Sequence, residues 1–209
     1  MLNEIKKSIA SGILISIGGC VYMASVTAGI SWFGALLFCG GLFAICVYGF
    51  NLYTGKVGYI AYNFKDGSYW ALVALVCVVN LLTTFLIGII VGKYFPAIRE
   101  SACKAYAAKL SAPLAKSFIS AVFCGILMFL SVDTWKKGQK IGLFIYVPVF
   151  IIAGFDHSIA NSFYNGAALN ADTFTLKNLV LVLTVVAGNG IGGWIFPLLT
   201  KNQDKSEEK

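Results

Sequence analysis

The stretch Gly154-Phe155-Asp156-His157-Ser158-Ile159-Ala160-Asn161 interrupts an otherwise apolar run from Ile141 to Leu169. A helix needs about 20 apolar residues to cross a bilayer, and this run is long enough. A glycine, a carboxylate, a histidine and an amide in its middle predict that the helix breaks there. Non-helical backbone at membrane depth persists only when it is buried in protein or lines a wet cavity. An ionisable side chain at that depth usually faces such a cavity and has a task. His157, the one histidine in the chain, is therefore the leading candidate for function. The half-helix expected to start near Ser158 aims its N–H groups at the midplane, and that partial positive charge disfavours an imidazolium. A neutral imidazole donates a hydrogen bond to an anion, or hands over a proton and recovers it. Asp156 is placed either to orient the ring or to cap the half-helix. Phe150, about two turns upstream, is placed to form an apolar constriction.

A second interruption lies in the apolar run from Ser31 to Tyr62, at Asn51-Leu52-Tyr53-Thr54-Gly55-Lys56-Val57-Gly58. The run is too long for one straight crossing, and a broken helix accounts for it better than a loop. Thr54 supplies a hydroxyl at the start of the second half-helix. Leu52 and Tyr53 supply bulk to narrow a pore. Lys56 either adds a fixed charge within about one turn of Thr54 or snorkels to the interface, and the sequence leaves both open. Two half-helices meeting end-on present two positive dipole ends, with a hydroxyl beside an imidazole. That arrangement suits a small monovalent anion.

The rest of the chain fits around these two breaks. Of 209 residues, 58% are hydrophobic and 12% charged, with mean hydropathy +0.81. A soluble surface needs roughly twice that charge density. Six spans are expected: 8–29, 31–62 (broken), 69–91, 114–132, 141–169 (broken) and 176–199. Lys6 and Lys7 before the first span resemble a signal peptide, but no cleavage site follows, and the helix reads as retained. Small residues recur every fourth position at Ser8, Gly12, Ser16, Cys20, Ala24 and Ala28, and GxxxG pairs occur at Gly88/Gly92 and Gly188/Gly192. Both patterns predict close helix packing. Breaks in the second and fifth spans match if spans one to three and four to six are two halves. Three spans per half require opposite orientation, so the fold class is an all-α membrane protein built as an inverted 3+3 repeat.

Residues 1–200 then form one channel domain, and 201–209 a charged cytoplasmic tail. With both termini cytoplasmic, ten of the 16 basic residues fall inside and six outside, which obeys the positive-inside rule weakly. The exception is the connection 93–116, where five basic residues face one acidic residue. It forms a basic outer vestibule that concentrates anions. Pro96 is placed to open a short interfacial helix there. The six cysteines show no metal-site spacing, and no metal or cofactor is expected. The positive charge belongs to loops at a lipid surface and implies no nucleic acid.

Gly154 to Asn161 resembles the central signature of the formate/nitrite transporter family, GF(E/D)HSIAN. Leu52-Tyr53-Thr54-Gly55 is similar to that family's break in the second helix, and Gly188-Asn189-Gly190-Ile191-Gly192-Gly193 to its GNxxGG in the last. The resemblance covers nearly the whole chain. It implies a homopentamer of six-helix, aquaporin-like protomers, each with its own pore for formate, nitrite, hydrosulfide, lactate or similar anions, with proton coupling left open. It assigns Leu52 and Phe150 as constrictions and Thr54, His157 and Asn161 as polar pore residues. It assigns Asn189 to holding the broken loop. The family's basic vestibule residue corresponds to Lys109 or Lys116, between which spacing does not decide. Two departures stand out: Lys56 where the family often has Asn, and Phe129 where the fourth helix usually carries Asn.

Two other classes are weighed. A channel for neutral solutes of the aquaporin type would carry paired Asn-Pro-Ala boxes, and none occurs. An intramembrane enzyme would need a nucleophile with its base or a metal cluster. No HExxH or GxSxG occurs, and one histidine builds no multi-histidine site.

Overall fold

The computed structural model describes residues 1–200. The expected tail, 201–209, lies outside the described residues. Apolar runs separated by short polar turns fold into α1 (Leu2–Thr27), α2 (Ser31–Tyr48), α3 (Tyr53–Lys56), α4 (Gly67–Tyr94), α5 (Pro96–Ser111), α6 (Leu114–Lys136), α7 (Ile141–Ile152), α8 (Ser158–Ala167) and α9 (Leu176–Thr200). Among the described residues there is no strand. Helices α1, α2, α4, α6 and α9 are long and apolar enough to cross a membrane. The 12 residues of α7 and 10 of α8 reach about 18 and 15 Å. Each falls short of a hydrocarbon core of about 30 Å, and only in series do they approach it.

Both expected breaks are present and are narrower than their polar stretches. The first spans Gly49–Leu52, and the second Ala153–His157. Thr54 and Ser158 therefore lie already in the first turns of half-helices. A tight 3-10 turn, Val57–Ala61, extends α3. The two helices that precede the breaks stop in the same way. Gly49 (φ 65°) and Gly154 (φ 71°) adopt the left-handed conformation that glycine takes without a side-chain clash. Phe50 N–H then donates to Ile45 O at 3.0 Å and Phe155 N–H to Phe150 O at 2.9 Å, the long closing bond of a Schellman cap.

Packing relies on small residues, because lipid gives apolar helices no hydrophobic reason to associate. Gly188 and Gly192 face α6, where a Cβ at Gly188 would lie 2.6 Å from the Ala121 Cβ. Gly88 and Gly92 face α8. The stripe on α1 packs only over its first half. Ser8, Gly12 and Ser16 are buried, whereas Ala24 and Ala28 are exposed. Near its end α1 meets α5 instead, with Thr27 Oγ1 2.8 Å from Ser101 Oγ. Pro96 opens α5 as the sequence predicts. Asp66 caps α4 by accepting from Ser68 and Tyr69 N–H at 2.9 and 3.2 Å.

Candidate functional site

A helix that breaks inside a membrane leaves N–H and C=O groups that need partners. Two fully buried asparagines supply them. Asn189 on α9 accepts from Ser158 N–H at 2.8 Å and donates to Asp156 O and Ala121 O, both at 2.8 Å. Asn80 on α4 accepts from Tyr53 N–H at 2.8 Å and donates to Asn51 O at 3.1 Å and Ser8 O at 2.8 Å. Each amide thus ties one broken loop to the first residue of its half-helix and to a carbonyl of a neighbouring helix. Asn80 was missed in the sequence. Its signal was a lone amide inside the apolar run of α4, together with the repeated Gly49-Phe50-Asn51 and Gly154-Phe155-Asp156.

The frames match, but their contents differ. Leu52 stands before α3 and offers no capping side chain. His157 stands before α8 and caps it, with Nδ1 accepting from Ala160 N–H at 3.2 Å. An Nδ1 that accepts carries no proton, so the neutral ring holds its proton on Nε2. Nε2 lies 2.9 Å from Thr54 Oγ1. Nε2–H donates to that oxygen, and the hydroxyl keeps its own proton for another acceptor. Thr54 and His157 are 1% and 2% exposed, so this pairing is dry apart from the cavities it abuts. The Phe150 ring stacks on the imidazole, with centroids 5.5 Å apart and planes at 18°.

Two cavities flank this point. One, of 190 Å³, is bordered by Phe150, His157, Asn161, Lys109 and Tyr164. The other, of 230 Å³, is bordered by Leu42, Leu52, Gly55, Lys56, Trp135 and Lys136. Leu52 borders the second cavity, and Phe150 and His157 border the first. Thr54 lies between them.

The remaining expected residues separate into groups. Asp156 neither caps α8 nor orients the imidazole. Its carboxylate accepts from Lys109 Nζ at 2.6 Å and from Asn161 Nδ2 at 2.8 Å, because His157 already fills the cap position. Asn161 lines the first cavity while holding Asp156. Of the two candidate lysines, Lys109 reaches that cavity and Lys116 is exposed on the surface of α6. Lys56 is half-buried in the wall of the second cavity. Tyr53 and Asn189 border neither cavity. The Tyr53 hydroxyl donates to Val186 O at 3.0 Å, which anchors α3 to α9. Phe129 packs against the Tyr59 ring, with centroids 5.4 Å apart, and fills the space over Gly58. Among the described residues no group of three or more His, Cys, Asp or Glu is placed to hold a metal ion.

The chain is similar to several known proteins. The family profile described as formate/nitrite transporter matches residues 2–201. The chain is 28% identical to the uncharacterized transporter YrhG of Bacillus subtilis (strain 168), over 79% of this chain and 68% of that one. Among solved structures it is similar to a chain described as an FNT family ion channel, with TM-score 0.81 and 19% identity over 93% of this chain and 87% of the other. It is also similar to one described as a pentameric formate channel with formate bound, with TM-score 0.79 and 21% identity over 98% and 97%.

Proposed function

The chain belongs to the formate/nitrite transporter family, and from that premise we propose that it is a multi-pass membrane protein passing small monovalent anions along a path past Thr54 and His157. Formate, nitrite and hydrosulfide are the substrates that suit the site. The observation that carries this reading is the Nε2 to Thr54 Oγ1 contact of 2.9 Å between two separate cavities. An anion stripped of water at an apolar constriction loses several kcal/mol or more of solvation. Leu52 and Phe150 are the constrictions, and the donors between them offset part of that loss. His157 Nε2–H and the Thr54 hydroxyl donate in turn as the anion replaces their mutual bond.

The capping role of Nδ1 favours hydrogen bonding over proton donation. To become an imidazolium, the ring must place a proton on Nδ1, where it would face the Ala160 N–H and undo the cap. Protons therefore enter this account only as those the anion carries from bulk water. Lys109 borders the first cavity as a further donor to the anion, its charge offset by Asp156, which Asn161 also holds. Lys56 contributes positive charge at the second. Tyr53, Asn80 and Asn189 hold the path's frame.

The matched frames support an inverted repeat of three crossings per half, making six in all, with residues 1–200 as one channel domain. The charge count supports cytoplasmic termini. A homopentamer is the assembly that fits a relative described as pentameric. The GxxxG faces are used within the protomer, so contacts between protomers must use other apolar faces.

Flux into proteoliposomes tests the reading. Formate should enter, and its entry should fall about tenfold or more on substitution of His157, while glycerol swelling stays at the rate of empty vesicles. Glycerol entry without formate entry would favour a neutral-solute channel instead.

A further inference from the structure

The two cavities differ in how their lysines are neutralised. In the first, Lys109 is paired with Asp156 at 2.6 Å. In the second, Lys56 and Lys136 share an otherwise largely apolar wall with Leu42, Ile45, Val132 and Trp135. The carboxylates nearest them are already engaged. Glu4 accepts from Asn51 Nδ2 at 2.6 Å and lies 4.0 Å from Lys7. Asp133 lies 3.0 Å from Lys137 and accepts from the Tyr59 hydroxyl at 3.4 Å. Lys136 Nζ sits 3.3 Å over the Tyr59 ring, and Lys140 Nζ lies 4.0 Å over the ring of Trp135. Among the described residues neither Lys56 nor Lys136 forms an ion pair.

We infer that this second cavity is a binding site for a divalent oxyanion of the sulfate or hydrogenphosphate kind, which enters from the face where α1 begins, stops at Leu52, and competes with the transported anion from that face alone. A monovalent anion neutralises one of two surplus ammonium groups, and a dianion neutralises both. The attraction of two positive charges for a dianion is doubled, and it is strengthened where apolar walls lower the dielectric. Beyond Leu52 the same dianion meets one hydroxyl and one N–H with no cation, so nothing there replaces its hydration. The competition rests on the proposed anion passage, whereas the binding does not.

Cys46 is half-buried in the same cavity wall and reports occupancy independently of flux. The reconstituted full chain is labelled with N-ethylmaleimide in sodium sulfate or in sodium chloride of equal ionic strength. Peptide mass spectrometry reads Cys46, with half-buried Cys103 as reference. Saturating sulfate should slow Cys46 about tenfold and leave Cys103 unchanged, and Lys136→Gln should raise the half-protecting sulfate concentration about tenfold, the loss expected for one partly buried charge. Lys136→Arg should keep the protection. Sulfate added to the α1-start face should also inhibit formate flux, and Lys136→Gln should relieve it. Equal protection by chloride, or a half-protecting concentration unmoved by Lys136→Gln, would overturn the inference. Absence of formate flux in the unsubstituted protein would instead sink the proposed function and leave Cys46 protection to decide the site.

Discussion

The break before α3 and the break before α8 share a frame and differ in content. Each begins with a left-handed glycine, and each is tied down by one buried asparagine making three hydrogen bonds. The first then presents Leu52 and the Thr54 hydroxyl. The second presents an imidazole that caps its own half-helix and an ion pair, Lys109 to Asp156. The shared part is what any interrupted helix in lipid requires, since its backbone must be satisfied. The proposed function draws on what is not shared, and the two unlike contents meet where Thr54 Oγ1 lies 2.9 Å from His157 Nε2.

Breaking the frame should cost most. Asn189→Ala leaves Ser158 N–H, Asp156 O and Ala121 O without partners, and should destabilise the protein by about 3 kcal/mol or more at roughly 1–3 kcal/mol per buried orphan group. Asn80→Ala should cost about the same, read as the shift in thermal unfolding in detergent. A markedly smaller effect at either site would show that the frames are not equivalent. Next is the ion pair found only at the second break. Asp156→Asn strands the Lys109 ammonium, which is 19% exposed at its side chain. It should cost about 2–3 kcal/mol, somewhat less than a fully buried pair. Adding Lys109→Met should recover most of that, and a double-mutant cycle on the same melts measures the coupling. His157→Ala removes the cap from α8 and the partner of Thr54 in a buried site, and should cost about 2 kcal/mol in stability, read from the same melts so that loss of flux is separated from unfolding. Smallest is Lys116→Gln on the exposed face of α6, expected within about 0.5 kcal/mol of the parent. A larger effect would undo the distinction between Lys116 and Lys109.

Much of this was legible before the structure, for identifiable reasons. Polar residues inside an apolar run are costly in lipid, so the breaks around Thr54 and His157 stood out. What stayed hidden depended on side-chain direction. Asp156 was expected to orient His157 or to cap the half-helix, yet it turns to Lys109 and Asn161, because His157 reaches the cap itself. Tyr53 was expected to narrow a pore, yet its hydroxyl reaches α9. The choice between Lys109 and Lys116 turned on which surface of two adjacent helices meets α8, and spacing along the chain carries no such information. Polar stretches also overstate a break, since Thr54, Gly55 and Lys56 are helical despite their composition. The role of Asn80 was within reach, because Gly-Phe-Asn and Gly-Phe-Asp recur before the two half-helices.

In the proposed function, Thr54 and His157 act as one donor unit for a passing anion. Formate flux into proteoliposomes, measured for Thr54→Val, His157→Ala and the double variant, tests it most directly. Each single change should lower flux by a similar factor of about ten or more, one lost hydrogen bond to a charged group being worth roughly 1.5–3 kcal/mol, and the double change should be scarcely worse than either. Losses that multiply, or singly substituted proteins that carry formate at the unsubstituted rate, would contradict it.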